Sequence, residues 1–427
     1  MDQGNTAFVL LSAALVLIMT PGLAFFYGGL VKAKSVVSMM MMSFGAIGLI
    51  GVLWAIYGYA IAFSGDSGEH YIGIDGVIGI DTSFVGLAAL LETPDDASIP
   101  PLAFVAFQAM FAILTVALVS GAIADRAKYG AWLVFAGLWA TLVYFPVAGW
   151  VFNFSLDPAT GAFTDGGWLT YGLQEIFGVG VIDFAGGTAV HINAGAAALA
   201  LSLVVGKRVG FAKGAFAPHN PPFVLLGAGM LWFGWFGFNA GSELAADGTA
   251  ALAFVNTLIA PAAALLAWNV VERFKDGKAT SVGAASGAVA GLVAITPACA
   301  ALTPGWAIVL GVLAGALCAM AVDLKFTLGF DDSLDVVGIH LVGGLVGTLF
   351  LGFFATSTGL FASGSWNQLI VQAIAAFSVM IYSFVMAWVI AFVIDRTMGM
   401  RVGREDEVAG TDLVSHGEGS YAFGGRD

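Results

Sequence analysis

Two histidines lie in stretches that hold almost nothing else able to ionise. In DFAGGTAVHIN (residues 183–193) Asp183 precedes His191 by eight positions, and in DSLDVVGIHLVGG (332–344) Asp332 precedes His340 by the same interval. A neutral imidazole has one donor and one acceptor on its ring, so two in contact can bond to each other and still present polar atoms to a small third molecule. A charged ring is costly in apolar surroundings. A lumen with few counter-charges, whose carbonyls are spent inside helices, suits a small neutral species that both donates and accepts hydrogen bonds better than it suits a bare cation. Two ring nitrogens with no thiolate or third histidine are too few for a zinc or copper site, and no cofactor is expected. A plainer alternative stays open: the histidines as packing contacts between helices, the aspartates as helix caps and nothing more.

The surrounding elements are set by composition. Of 427 residues 59% are hydrophobic, only 10% are charged and 58 are glycine, which places the chain in a membrane. Charge-free runs from Gln3, Ser35, Ala97, Tyr129, Phe184, Gly214 and Gly248 are each long enough to cross about 30 Å of hydrocarbon. Two longer runs, Ala279–Val322 and Val336–Ile394, are each broken by a turn signal, TPACAALTPG and ATSTGLFASGS, and so supply two helices apiece. The expected fold is an all-α polytopic membrane protein of eleven transmembrane helices. The first run opens with Asp2 and is too long for a signal peptide, so it reads as a retained helix. Cys299 and Cys318 stand in apolar context and indicate neither a disulfide framework nor a thiolate site.

The fifteen Lys and Arg follow only the odd-numbered helices: Lys32 and Lys34; Arg126 and Lys128; Lys207, Arg208 and Lys213; Arg273, Lys275 and Lys278; Lys325; and the four arginines from Arg396 to Arg426. Basic residues in short loops stay cytoplasmic, which predicts an outer amino terminus and a cytoplasmic carboxyl terminus. Part of the net charge of −13 then lies outside, in Asp66, Glu69, Asp75, Asp81, Glu92, Asp95 and Asp96, as a solvated surface or a weak attractor of cations. With five helices per half, the second copy is inverted, and His191 and His340 approach the midplane from opposite faces, each roughly 12 Å from its aspartate at 1.5 Å rise per residue. The expected layout is a membrane domain over 1–397, with inverted repeats at about 5–206 and 222–354 and an added eleventh helix at about 366–396, followed by a tail over 398–427.

Aromatic residues gather toward the outer ends of three helices. FVAFQAMF sets Phe107 and Phe111 four apart, WFGWFGFNAGS sets Trp235, Phe238 and Ser242 on one face, and VAGWVF brings Trp150 and Phe152 to the same level. Aromatic faces attract cations by about 0.5–2 kcal/mol, and a serine oxygen can accept from an ammonium group. An interfacial aromatic belt is the alternative, although Phe111 is too deep for one. Glycines at 283, 287, 291, 311 and 315 recur every four residues and imply close helix packing. The chain lacks a G-x-S-x-G elbow or an H-E-x-x-H helix, so no enzyme is expected.

Taken together, DFAGGTAVHIN, GWFGFNAGS, GKRVGF with PHN, AFVNT, ITPAC, DVVGIH and SHGE occur in an order that strongly resembles the ammonium transporter family (Amt, Mep and Rhesus proteins), and its Amt branch most of all. The resemblance spans essentially the whole chain. It implies a homotrimer with one narrow pore per subunit, twin pore histidines at His191 and His340, and an acidic residue, Asp183, beneath an outer ammonium-recruitment site built on Phe107, Phe152 and Ser242. It further implies a phenylalanine gate at Phe111 and Phe238, with Asp332 as the repeat-related counterpart of Asp183. Phe152 stands where many relatives carry tryptophan, which implies a weaker or differently shaped capture site. The resemblance also implies that ammonium, or methylammonium as its analogue, is deprotonated and crosses as ammonia, with or without separate proton transfer, in the cell membrane. A PII-type nitrogen regulatory protein at the cytoplasmic tail is an implied partner; nucleic acid is not. A sensor that binds ammonium but moves little of it is the competing expectation.

Overall fold

A computed structural model describes residues 1–64, 70–95, 97–157, 160–211 and 217–421. Asp66, Glu69, Asp96, Lys213 and Arg426, which figure in the charge pattern, lie outside the described residues. Among the described residues ten helices are long and apolar enough to cross a membrane: α1 (Gln3–Leu30), α2 (Val36–Ala62), α3 (Pro101–Ile123), α4 (Tyr129–Phe152), α5 (Gly187–Val205), α6 (Pro221–Glu243), α7 (Gly248–Lys275), α9 (Pro304–Leu328), α10 (Val337–Phe354) and α11 (Asn367–Thr397). The segment between α7 and α9, α8 (Ser281–Ile295), is helical for only 15 residues. Pro297 explains the early stop, because it has no N–H to give to the carbonyl of Val293 and its ring crowds that carbonyl.

The chain is mostly helical, as expected, and two of its connections also hold short strands. The connection after α2 contains an antiparallel hairpin, Tyr71–Ile74 with Ile78–Asp81, and the connection after α4 contains another, Phe154–Leu156 with Phe163–Gly166. In the first, Asp75-Gly76 turns between alternating isoleucines, with Gly76 at φ 64°, as a tight hairpin requires.

Helix starts are chemically marked. Asp2 accepts from Asn5 N, Asn220 from Phe223 N, Asp247 from Thr249 N and Ala250 N, and Thr280 from Gly283 N. Prolines open α3, α6 and α9, where a missing N–H costs nothing. Inside helices they do cost a hydrogen bond, and a neighbouring helix makes good the loss. Pro146 frees the carbonyl of Leu142, which accepts from the Tyr382 hydroxyl of α11 at 2.6 Å. Pro261 frees that of Thr257, which accepts from the Trp232 indole of α6 at 3.1 Å.

Small residues set the closest helix crossings. A Cβ on Gly22 of α1 would meet Met230 and Leu231 of α6. The glycine stripes pack as expected: Gly287 and Gly291 lie on Ala264 and its neighbours in α7, while Gly311 and Gly315 lie on Ala260 and Ala264 from the other side.

At the end of the bundle that carries the basic residues, Arg126 is fully buried, donating to Gly206 O, Ala124 O, Ser333 Oγ and Asp331 O. Arg208 makes a two-pronged pair with Asp331 and a further contact with Asp125 at 3.2 Å. The tail closes over this cluster as two short helices, α12 (Arg404–Ala409) and α13 (Thr411–His416). Glu407 accepts from Val209 N and Arg401, and Asp412 accepts from Ser38 N at 2.7 Å, capping α2. His219 joins Val31 O to the Tyr421 hydroxyl.

Burial alone would raise the Asp331 carboxyl, but the hydrogen bonds and charge of Arg208 hold it below the ordinary carboxylate value. A carboxyl depressed on folding contributes stability that is complete above its unfolded value, about pH 3.9, and is lost as pH falls through the lower folded value. Asp331→Asn should therefore lower the stability of purified protein in detergent by about 3 kcal/mol, by leaving Arg208 poorly matched. The difference between wild type and variant should stay flat from pH 8 to 5 and shrink only below about pH 4; a difference already shrinking at pH 6 contradicts the assignment.

Candidate functional site

The two histidines meet. His191 Nδ1 and His340 Nδ1 lie 3.2 Å apart, with ring centroids separated by 5.3 Å and planes inclined by 25°. A hydrogen bond between two Nδ1 atoms shares one proton, so one ring donates and the other accepts, and each keeps its Nε2 for another partner. His191 Nε2 is buried and makes no hydrogen bond within the protein.

Each histidine stands on a turn of π-helix, Gly187–Ile192 for His191 and Val337–Leu341 for His340. Such turns widen the helix by one residue and reorient its side chains, and they recur at functional sites. The sequence-based expectation that each helix begins at its aspartate is corrected here. Asp183 lies in an irregular segment four residues before α5, and its carboxylate folds over the helix end. One oxygen accepts from Gly186 N at 3.1 Å and from Gly187 N, the other from Thr188 N at 2.9 Å and Ala189 N at 3.1 Å. Those are the amides that a helix start leaves unpaired. Gly186, at φ 116°, makes the bend, and a side chain there would run into Val190. Asp332 behaves similarly but less completely: Oδ2 accepts from Val337 N at 2.7 Å, and Oδ1 is buried without a partner. Lys325 reaches the same turn, donating to Asp332 O at 3.0 Å and pairing with Asp335 at 2.5 Å.

The contacts between the two histidine helices are reciprocal. Gly195, four residues after His191, lies against Leu341, the residue following His340; Gly344, four after His340, lies against Ile192, the residue following His191. A Cβ at either glycine would strike the other helix, so the rings can meet only because both positions are glycine.

Above His191 the aromatic residues form a stack. Trp235 lies 5.4 Å from the His191 ring at 25°, and Phe238 lies 6.2 Å from it at 21°. Phe111 packs on Phe238 at 4.2 Å, Phe107 on Phe111 at 4.9 Å, and Phe152 reaches Phe111 edge-on at 6.5 Å. Phe107, Phe111 and Phe238 are wholly buried, whereas Phe152 and Ser242 are half-buried. Ser242 Oγ donates to Phe238 O at 2.8 Å and keeps its lone pairs available. Trp150 does not join this group. Its indole donates to Val77 O of the first hairpin, and its ring packs on Trp168 and Tyr382.

Around Lys325 and the turn before α10, a cavity of about 200 Å³ is lined by Leu30, Phe211, Lys325, Phe326 and Asp335 among others. Sequence reading missed two groups that shape the site: Thr296, whose hydroxyl receives the Trp235 indole at 2.8 Å, and the buried glutamines Gln368 and Gln372 of α11. Polar residues within an apolar run were the available signal for the glutamines.

A multi-span bundle with broken helices meeting at a buried polar pair defines a membrane transport protein. The chain belongs to the ammonium transporter family, whose model matches residues 7–421. It is 54% identical to the ammonium transporter of Mycobacterium tuberculosis over 443 aligned positions, covering 99% of this chain and 91% of the relative. Among solved structures it resembles Mep2 of Candida albicans, with a TM-score of 0.83 and 32% identity over 98% of this chain and 90% of the other. It also resembles a chain described as a sensor Amt protein, with a TM-score of 0.86 and 27% identity over 97% and 98%.

Asp183→Ala strands four buried amides and should cost on the order of 3 kcal/mol in thermal unfolding of the purified protein. Asp183→Asn keeps an accepting oxygen and should cost about half of that. Equal losses would point to the negative charge and not to the hydrogen bonds.

Proposed function

We propose that the protein conducts ammonium nitrogen across the cell membrane. Ammonium is held at the mouth by the faces of Phe107 and Phe152 and the free lone pairs of Ser242. Near the Phe111–Phe238 pair it gives up its proton to water on the mouth side, and the resulting ammonia passes that pair and travels beside His191 and His340. The observation that carries this reading is the buried 3.2 Å imidazole pair directly beneath a closed aromatic stack. Ammonia has three N–H donors and one lone pair, which matches a wall of ring nitrogens that can donate or accept. Potassium and sodium have neither, and the rings offer no counter-charge for them. Because Phe111 and Phe238 are in contact, passage requires one of the rings to swing aside. Asp183 carries two roles in this scheme: it fixes the start of α5, and it places a negative charge below the capture site.

In this reading residues 1–397 form the membrane domain and 398–427 a regulatory tail. The Gly195–Leu341 and Gly344–Ile192 exchange supports inverted repeats over about 5–206 and 222–354, with α8 and its following turn counted as the eighth of eleven spans and α11 standing outside the pair. The distribution of Lys and Arg supports an outer amino terminus and a cytoplasmic tail. A homotrimer, and a PII-type protein docking at the cytoplasmic face, complete the proposal by family analogy.

Purified protein in proteoliposomes on a solid-supported membrane should give a transient current on an ammonium pulse if net charge moves, and uptake of labelled methylammonium without current if it does not. His191→Ala or His340→Ala should cut conduction about tenfold, the loss of a contact worth roughly 1.5 kcal/mol, or admit potassium. Wild-type rates and selectivity in both variants contradict the pore role, and a wild type that binds ammonium without moving it indicates a sensor instead.

A further inference from the structure

The two buried glutamines of α11 do a task usually left to a neighbouring strand. Between the short helix ending at Phe177 and the start of α5, the chain runs through Val179–Asp183 without regular secondary structure. Its amides and carbonyls need partners, since the segment is buried at Gly180, Val181 and Asp183 and half-buried at Ile182. Gln372 supplies two at once: its Oε1 accepts from Ile182 N at 2.8 Å, and its Nε2 donates to Ile182 O at 2.8 Å. The remaining capacity of the same amide is also used. Oε1 accepts a second bond from Gln368 Nε2 at 3.1 Å, and Nε2 donates a second to Thr348 O at 3.2 Å. A side-chain amide has two donors and two acceptor sites, so Gln372 is saturated. Gln368, beside it, donates to Gly180 O at 3.1 Å.

The partners fall on both halves of the site. Ile182 immediately precedes Asp183, whose carboxylate holds the amino end of the π-turn that carries His191. Thr348 lies on α10, eight residues beyond His340. Further along α11, Ser383 donates to Asn193 O at 2.7 Å, two residues past His191. The eleventh helix therefore hydrogen-bonds the His191 segment on either side of its histidine and also the His340 helix, through Gln368, Gln372 and Ser383, whose own side chains are buried to within about 1%.

We infer that Gln372, buttressed by Gln368, is a positioning residue for transport, which sets Asp183 under the capture site and holds the two histidine helices in register. This rests on the conduction reading above. Displacing a charged or reacting group by about 1 Å can cost a hundredfold, so the effect should exceed that of a lost packing contact and should fall on substrate capture first.

Methylammonium uptake is measured in proteoliposomes, per assembled protein, for wild type, Gln372→Leu and Gln368→Met, with hydrogen exchange followed at the amides of residues 180–190. Gln372→Leu should raise KM about tenfold with kcat changed less than about threefold, and Gln368→Met should raise it about threefold. Combined with Asp183→Asn, Gln372→Leu should add little to the larger single effect, because both act through one group. Exchange at Gly186–Ala189 should quicken in both glutamine variants. A merely structural role gives lower yield and a lower Tm with wild-type KM and slow exchange at Gly186–Ala189, and that result overturns the inference. If Gln372→Leu does not assemble, Gln368→Met decides on the same two readouts. If the wild type takes up no methylammonium, the conduction reading fails, and the exchange rates alone then decide whether the glutamines position Asp183.

Discussion

Four backbone amides at the start of α5 point at one carboxylate, and most of what is specific about this protein follows from that contact. A helix that starts inside a bundle has free N–H groups and no water to receive them. With Asp183 over them, α5 can begin in the interior as a widened turn, the chain before it can run without regular secondary structure, and His191 can be presented sideways to a partner helix. Without such a cap the same sequence would have to continue the helix or expose the amides, and either choice moves the ring. The second histidine helix uses the same device in a looser form, with one Asp332 oxygen engaged and Lys325 filling in around the turn. The two ends differ in how firmly they are tied, although both histidines are buried.

Around this contact the bundle settles its other polar debts between helices. Carbonyls released by Pro146 and Pro261 are taken up by Tyr382 and Trp232. Indole and amide groups elsewhere do likewise, as in Trp54 on Val105 O and Asn256 on Cys299 O. These bonds are directional in a way that leucine packing is not, so they fix helix rotation, and rotation decides which rings face the interior.

Much of the site was legible in the amino acids because the membrane makes polarity conspicuous. Histidines within charge-free runs, and the repeated eight-residue offset to an aspartate, pointed to a pair of related turns, and the two rings do meet. The offset misled on one point: it was counted as eight residues of helical rise from a capping aspartate, whereas α5 begins only at Gly187 and Asp183 reaches its amides from four residues before. Trp150 could not be assigned from sequence, since its direction is set by the Val77 carbonyl of a distant hairpin. That hairpin itself carried a readable sign, alternating isoleucines around Asp-Gly, that the weight of apolar helix obscured. Gln368 and Gln372 stood out as amides in an apolar helix, but apart from each other their partners are backbone groups, which leave no trace in residue type.

The cap on α2 arrives from far along the polypeptide: Asp412 bonds the Ser38 amide across 374 positions of chain. During synthesis the second helix must enter the bilayer with that end unsealed and wait until Asp412 has left the ribosome. A chain that stops short of Asp412 carries a frayed second helix that quality-control proteases can grip.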